Sequence, residues 1–345
     1  MSRVRLRASH APRLGADQVF RPWHGKVLGT TAVFDTFWRF AFERQEVFFK
    51  RLAGLPPPWT NDPVLCGYRF TNVYRASDRV SQYLIRRVIY DGEQSDEEVF
   101  FRILLFKLFN RVQTWEVLQT AVGPISWRAF HLEQYNAALE ETLRRGERIY
   151  SAAYIMPCPP FGARRKHTNH LILLARMMED RVPLRLASAR SLRDVYTLLR
   201  SYPSIGDFLA FQFAIDLNYS GLIDFPEMEF VVPGPGARSG VRKAFSDTAG
   251  LSEEEVIRAV AEAASREFER RGLAFRSLWG RPIQLIDCQN LFCEVDKYAR
   301  VVHPEIAGNG RTRIKRRFTA SAIASPQWYP PKWRLSSSNT PTGES

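Results

Sequence analysis

Between Phe225 and Lys243 the chain reads Phe-Pro-Glu-Met-Glu-Phe-Val-Val-Pro-Gly-Pro-Gly-Ala-Arg-Ser-Gly-Val-Arg-Lys, so two carboxylates precede three glycines and three cations. Glycine lets backbone amides approach an anion without a Cβ in the way, and Arg238, Arg242 and Lys243 supply positive charge. The combination suits a phosphate held beside an acid. Glu227 and Glu229 are the candidate acids, and Gly234, Gly236, Arg238 and Lys243 the candidate phosphate cradle. A Pro/Gly connection between two helices has the same composition.

Two further clusters carry charge at helical spacing. Asp287, Glu294, Asp296, Lys297 and Arg300 fall within about four turns of one helix. Glu294 with Lys297 (i, i+3) and Asp296 with Arg300 (i, i+4) form ordinary surface pairs if solvated. The same turns hold Leu291, Phe292, Val295 and Tyr298, so these charges border an apolar face, where desolvation favours acid/base work. Glu294, Asp296 and Lys297 are therefore candidate catalytic groups, with Tyr298 lining a base pocket. In Phe70-Thr-Asn-Val-Tyr-Arg-Ala-Ser-Asp-Arg79, Arg75, Asp78 and Arg79 lie on one polar stripe. Two arginines held by a carboxylate suit bidentate grip of a phosphate, and an ion-paired helix surface gives the same pattern.

Residues 201–220 supply a tight turn between apolar segments. Ser201-Tyr-Pro-Ser-Ile-Gly-Asp-Phe resembles the helix-hairpin-helix element of DNA repair glycosylases, whose turn presents backbone amides to a DNA phosphate. Gly206 matches, Ser204 replaces the first glycine and Asp207 departs from the pattern, so an ordinary αα-hairpin stays open. The resemblance implies an acid some twenty residues beyond the hairpin. Glu227 and Glu229 stand 21 and 23 residues after Gly206. Asp216 is a rival carboxylate, and Tyr219 a second candidate for the base pocket. His167 and His170 share one helix face without a third ligand, so no metal site is expected.

The elements that must position these groups are helices. Phe34, Phe37, Trp38, Ala41, Phe42, Val47, Phe48 and Leu52 recur at i, i+3, i+4 over 34–53. The pattern predicts further helices at 72–90, 114–121, 126–145, 167–180, 191–200, 207–217 and 252–271. Ser95 with Glu98 predicts a capping box before the apolar run Val99 to Val112, and Ser252 with Glu255 predicts another. Phe230 to Val232, Ile283 to Ile286 and 149–156 are the only short β-rich runs. The expected architecture is mainly α and helix-hairpin-helix glycosylase-like, in two helical lobes with at most a few short strands. Residues 1–30 read as a basic N-terminal arm and 31–305 as the helical domain, with a lobe junction near 156–162. Residues 306–345 read as a basic and aromatic, poorly ordered tail. Four cysteines without a CxxC pair read as buried thiols.

Forty-nine Lys and Arg against 36 Asp and Glu leave a formal charge of +13, which favours a polyanionic partner. No apolar run approaches the roughly 20 residues that span a bilayer, and the start lacks a signal-peptide core. A cytoplasmic, DNA-associated protein is the expectation, with no cofactor and no assigned protein partner.

Four motifs in order carry a wider resemblance. Phe-Thr-Asn-Val-Tyr-Arg-Ala-Ser-Asp-Arg, Ile-Gly-Asp-Phe-Leu-Ala-Phe-Gln with Asp-Leu-Asn-Tyr-Ser, Phe-Val-Val-Pro-Gly-Pro-Gly-Ala-Arg, and Leu-Phe-Cys-Glu-Val-Asp-Lys-Tyr resemble the helical domain of 5-hydroxymethyluracil DNA kinases. They are also similar to the related α-glutamyl/putrescinyl-thymine pyrophosphorylases. The resemblance runs from about residue 35 to 303 and implies DNA carrying modified pyrimidines as the partner, with the base turned out of the stack. No Gly-x-x-x-x-Gly-Lys-Ser/Thr occurs among the 345 residues, so a P-loop kinase reaction by this chain is not expected. The main expectation is an N-glycosylase in which Glu229 or Asp216 stabilises positive charge at C1′. The alternative is a transferase that replaces pyrophosphate on the base's exocyclic methylene with an amine, with Lys243, Arg238 and loop amides holding the leaving group. A non-catalytic DNA-binding module is the second alternative. All of these require the dispersed carboxylates to share one pocket.

Overall fold

The computed structural model describes residues 19–22, 25–306, 313–314, 316–319 and 327–335. Thr31 starts its helical part: the hydroxyl accepts a hydrogen bond from the Val33 N–H, and α1 (Ala32–Leu52) follows with the predicted aromatic stripe buried. Next come α2 (Pro63–Gly67), a 3₁₀ turn at Arg75–Ser77, and α3 (Arg79–Tyr83), which continues as a π-helical turn, Leu84–Ile89. The chain proceeds through α4 (Asp96–Phe109), α5 (Val112–Val122), α6 (Leu132–Arg144), α7 (Lys166–Glu179), α8 (Val182–Leu186), α9 (Leu192–Arg200) and α10 (Asp207–Leu217). It ends with α11 (Pro235–Ala244), α12 (Glu253–Glu262), α13 (Ala264–Arg270) and α14 (Leu285–Val302). One small antiparallel sheet joins β1 (Val19–Phe20), β2 (Leu28–Thr30) and β3 (Phe245–Asp247) in that order, with Val19 opposite Gly29 and Thr30 opposite Phe245. The fold is mainly α.

Packing explains the order of layers. From Val99 to Phe109 every residue of α4 is buried, so this helix is enclosed on all sides, as an apolar run without a polar face must be. α14 packs against α1, α11 and α12, and α9 and α10 form an antiparallel pair across 201–206. Coil at 156–162 separates α6 from α7, but buried residues on both sides belong to one continuous apolar core. Among the described residues no helix is long and apolar enough to cross a membrane.

Several local expectations are corrected. The helix expected over 72–90 is broken into three pieces, and Arg102 accounts for its end: the guanidinium donates to the carbonyls of Val88, Ile89 and Glu93. Ser95 does not form the expected box, because buried Glu98 instead accepts from Ser126 and from the N–H groups of Trp127 and Arg128. Ser252 and Glu255 do form theirs, yet the helix they open breaks at Ala263. None of the three proposed strands is a strand; the edge partner of β2 is instead the segment after α11. Of the cysteines, Cys288 is buried, Cys293 half-buried, and Cys66 and Cys158 exposed. Most of the expected basic arm lies outside the described residues. Of the tail, residues 327–335 are docked on the body, and 307–312, 315, 320–326 and 336–345 lie outside the description.

The largest correction concerns the glycines. Pro235 to Ala244 is helix, not a phosphate-cradling loop, with Gly234 as its N-cap and Pro235 at N1. A Cβ on Gly240 would lie 2.1 Å from the Phe292 carbonyl oxygen, and one on Gly236 would lie 2.4 Å from Cys293 Sγ. Both glycines let α11 seat against α14. Gly240→Ala therefore meets rigid backbone, and chemical denaturation should show a loss of about 1–3 kcal/mol or more. Gly236→Ala meets a side chain that can rotate and should lose less.

Candidate functional site

Asp216, at the C-terminal end of α10, is wholly buried between two cations. Arg75 Nη1 lies 2.8 Å from Asp216 Oδ1, and Lys107 Nζ from α4 lies 3.1 Å from Oδ2. Arg75 also donates to the Tyr219 hydroxyl (3.1 Å), and Lys107 to Asn110 Oδ1 (2.9 Å) while standing over the Tyr154 ring. Burial opposes the charge on Arg75, but Asp216 and Tyr219 outweigh it and hold the guanidinium above its ordinary pKa. Burial pushes the Tyr219 hydroxyl well up, so it stays protonated as a neutral member of the cluster.

A second charged layer adjoins the first. The Arg75 N–H donates to Asp287 Oδ1 at 2.7 Å, and Asp287 also accepts from the Gln284 N–H to cap α14. Glu227 pairs with Arg281 at 2.9 Å. Burial, then the neighbouring Glu227, pushes Asp287 up to about 7 against the two backbone donors and Arg281. Glu227 is likewise raised by burial, against the opposing pull of Arg281. Residues 327–335 close over this layer. Trp333 lies 3.7 Å from Arg281 and edge-on to Tyr219, Tyr329 shares a hydrogen bond with Ser77, and the Trp328 N–H donates to Gln82.

Beyond this centre the predicted residues separate. Glu229 accepts from the N–H groups of Leu192 and Arg193 and so caps α9. Asp296 takes the buried Lys243 at 3.0 Å, together with Ser239 and Arg300. Burial alone would raise the Asp296 carboxyl; hydrogen bonds from those three partners lower it. The buried Lys243 is taken up by Asp296, whereas Arg238 is exposed and donates from Nε to the Pro233 carbonyl. Glu294 pairs with Lys297 and accepts from the Thr71 N–H. Tyr298 donates to Asp62, away from Tyr219. Gly206 caps α10, whose Asp207 pairs with Arg200 on the surface. The single shared pocket is thus corrected to a centre holding Asp216, Glu227 and Asp287, with Glu229, Asp296 and Glu294 each placed elsewhere on partners of their own: buried charges need local partners. His170 is held between Tyr150 and the Pro157 carbonyl, and His167 pairs with Glu140. Among the described residues no group of three or more His, Cys, Asp or Glu could hold a metal ion.

The segment Phe70–Arg79 joins two of these clusters. Its Arg75 enters the Asp216 centre, and its Thr71 meets Glu294. Asn72 donates its N–H to Asp78 and its side-chain amide to the Ser77 carbonyl, while its Oδ1 receives Arg44. Asp78 keeps part of its surface open, yet burial, reinforced by Glu294 and opposed by the Asn72 N–H, Arg44 and Arg75, raises its carboxyl to about 7. Arg79 and Arg69 are exposed, and Arg69 feels the charges of both Arg79 and Asp78.

The family described as the helical domain of 5-hmdU DNA kinase matches residues 31–308, which contain every group of these clusters except the 327–335 strap. The chain belongs to this family. A curated relative, the 5-hmdU DNA kinase of Bacillus phage SP10, is 28% identical over 289 residues, covering 76% of this chain and 45% of the relative. The chain therefore spans about half the length of that kinase. No solved structure matches. The relative is named for phosphorylation, a group transfer, and this overturns the N-glycosylase expectation for this helical domain and the hydrolase class with it.

Lys107, Arg44 and Arg281 escaped the sequence reading. Lys107 had a signal, an ammonium that shares the run Val99–Phe109 with Arg102 and nine apolar residues; the other two had none. Replacing Asp216 with Asn leaves two buried cations unpaired, and denaturation of Asp216→Asn should show a loss of about 3–5 kcal/mol. Asp287 has a folded pKa above its unfolded value, so the folded state holds the extra proton between about pH 4 and 7 and its contribution to stability falls as pH rises through that window. Asp287→Asn removes the titration. Its melting temperature relative to wild type should rise from about pH 4 to about pH 7.5, and a constant difference would contradict the assignment.

Proposed function

We propose that this helical domain binds the acceptor in group transfer to the 5-hydroxymethyl oxygen of a uracil in DNA, with Asp78 as general base. The observation that carries the reading is the position of Asp78: a half-buried residue whose carboxyl is raised by burial to about 7, beside the exposed Arg79 and within the field of the exposed Arg69. A base of that pKa is charged often enough near neutral pH, and basic enough, to take a proton from an alcohol. The family match over 31–308 and the name of the phage relative support the substrate, and that name favours phosphoryl over amine transfer.

The step is simple in atoms. The hydroxymethyl oxygen attacks phosphorus, its proton passes to Asp78, and the donor's remaining phosphates leave. Positioning and charge carry most of such a reaction. No P-loop sequence occurs in the 345 residues, so the reading assigns this chain the acceptor side. The everted nucleotide would reach Asp78 with its backbone phosphates on Arg69 and Arg79.

Gel-shift titration of matched duplexes should show at least about tenfold tighter binding to DNA carrying 5-hydroxymethyluracil than to the same sequence with thymine, a difference near 1.4 kcal/mol. With a donor-binding kinase module and a phosphoryl donor supplied in trans, mass spectrometry of the digested nucleosides should find the phosphorylated base. Its rate should rise through about pH 7 and vanish in Asp78→Asn. Equal affinity for the two duplexes, or release of free base, would overturn the reading.

A further inference from the structure

A cavity of about 140 Å³ is lined by Arg44, which links it through Asn72 to Asp78. Its walls are the rings of Trp59, Tyr68, Phe70 and Phe318, and two guanidiniums, Arg44 and Arg51, line it with them. Pro57, Pro58 and Cys66 at its rim are exposed. A cavity of this size holds one six-membered ring; an engineered protein cavity of about 150 Å³ takes up benzene.

The cations are what ask for a ligand. Arg44 is 8% exposed, and its Nε and Nη2 donate to the Thr71 carbonyl and to Asn72, while Nη1 is buried without a hydrogen-bond partner. Arg51 stacks its guanidinium 5.1 Å from the Trp59 ring centre, and its Nε is also buried and unpartnered. Among the described residues neither arginine forms an ion pair. Burial lowers both from their ordinary pKa, and in Arg44 the neighbouring Arg51 lowers it further while Asp78 and Glu294 oppose. A buried donor left without an acceptor costs about 1–3 kcal/mol, more when charged, so two beside one aromatic cavity favour an anionic ligand there.

We infer that this cavity binds a pyrimidine ring carrying a phosphate, the ring between the aromatic walls and the phosphate on Arg44 and Arg51. The inference rests on the acceptor-binding reading and deepens it, since the cavity adjoins Asp78 through Asn72. The phosphate has two sources in a modified nucleotide: the 5-methylene arm of the base or the 5′ position of the sugar. Both present the same oxygens to a guanidinium fork.

Titration calorimetry on the full chain separates them with four probes: 5-phosphoryloxymethyl-2′-deoxyuridine, thymidine 5′-monophosphate, thymidine and inorganic phosphate. One of the two phosphorylated nucleosides should bind at least tenfold more tightly than thymidine and than phosphate, and which one does so identifies the source. Arg51→Gln should weaken that probe about tenfold without shifting the melting temperature, and should leave thymidine unchanged. Arg44 braces Thr71 and Asn72, so Arg51 is the informative variant. Thymidine binding as well as its phosphates, no probe binding at millimolar concentration, or an Arg51→Gln titration like wild type would each overturn the site. Lost probe binding with retained preference for 5-hydroxymethyluracil DNA sinks this cavity alone; the converse sinks the acceptor-binding reading alone.

Discussion

A carboxylate shut away from water and shared by two cations ties this fold together. Taking an ion out of water costs several kcal/mol even after relaxation, so Asp216, Arg75 and Lys107 are tolerable only in one another's company. They come from α10, the turn before α3, and α4, so three elements distant in sequence must arrive in register or none is stable there. The Arg75 backbone extends the constraint, because its N–H is one of the two that hold Asp287 and so brings in the start of α14. Tyr219 adds a hydroxyl to the guanidinium and a ring beneath Trp333. Interchange with apolar residues would avoid the desolvation, but it would also remove the side-chain link between the segment Phe70–Arg79 and α10, leaving its backbone bonds to Asp287 and Glu294.

That segment decides how far the sequence was legible. The helices were readable because their signals are local: α10 begins and ends where periodicity placed it, and the Ser252–Glu255 box is formed as its spacing requires. The glycines of 234–240 carried a signal that was read for the wrong partner. Gly236 and Gly240 stand four apart, on one face of a helix, and this spacing serves close approach of another helix as well as of a phosphate. The polar residues were harder for a physical reason. A buried carboxylate is defined by what it meets: Glu229 meets two backbone N–H groups of α9, Glu98 meets a loop, and Asp216 meets side chains 141 and 109 positions earlier, and none of these partners is marked by residue type at any fixed spacing.

Charge on one side of Phe70–Arg79 is felt on the other, which gives the proposed chemistry an order. Burial and Glu294 raise the Asp78 carboxyl, while the Asn72 N–H, Arg44 and Arg75 lower it, so its poise near 7 is a balance that a ligand can disturb. A phosphate resting on Arg44 would offset one of the two cations that favour the charged carboxylate. Asp78 would then hold a proton to higher pH with a phosphorylated base in place than with the unmodified one. A base that grows stronger as the phosphate arrives keeps the proton it has taken from the hydroxyl, and gives it up to solvent once the product leaves. The same coupling predicts no such change from Arg79, whose exposed guanidinium exchanges with water and is screened by salt. Asymmetry between a buried and an exposed arginine around one carboxyl is therefore what would let this domain both recognise DNA and time a proton transfer.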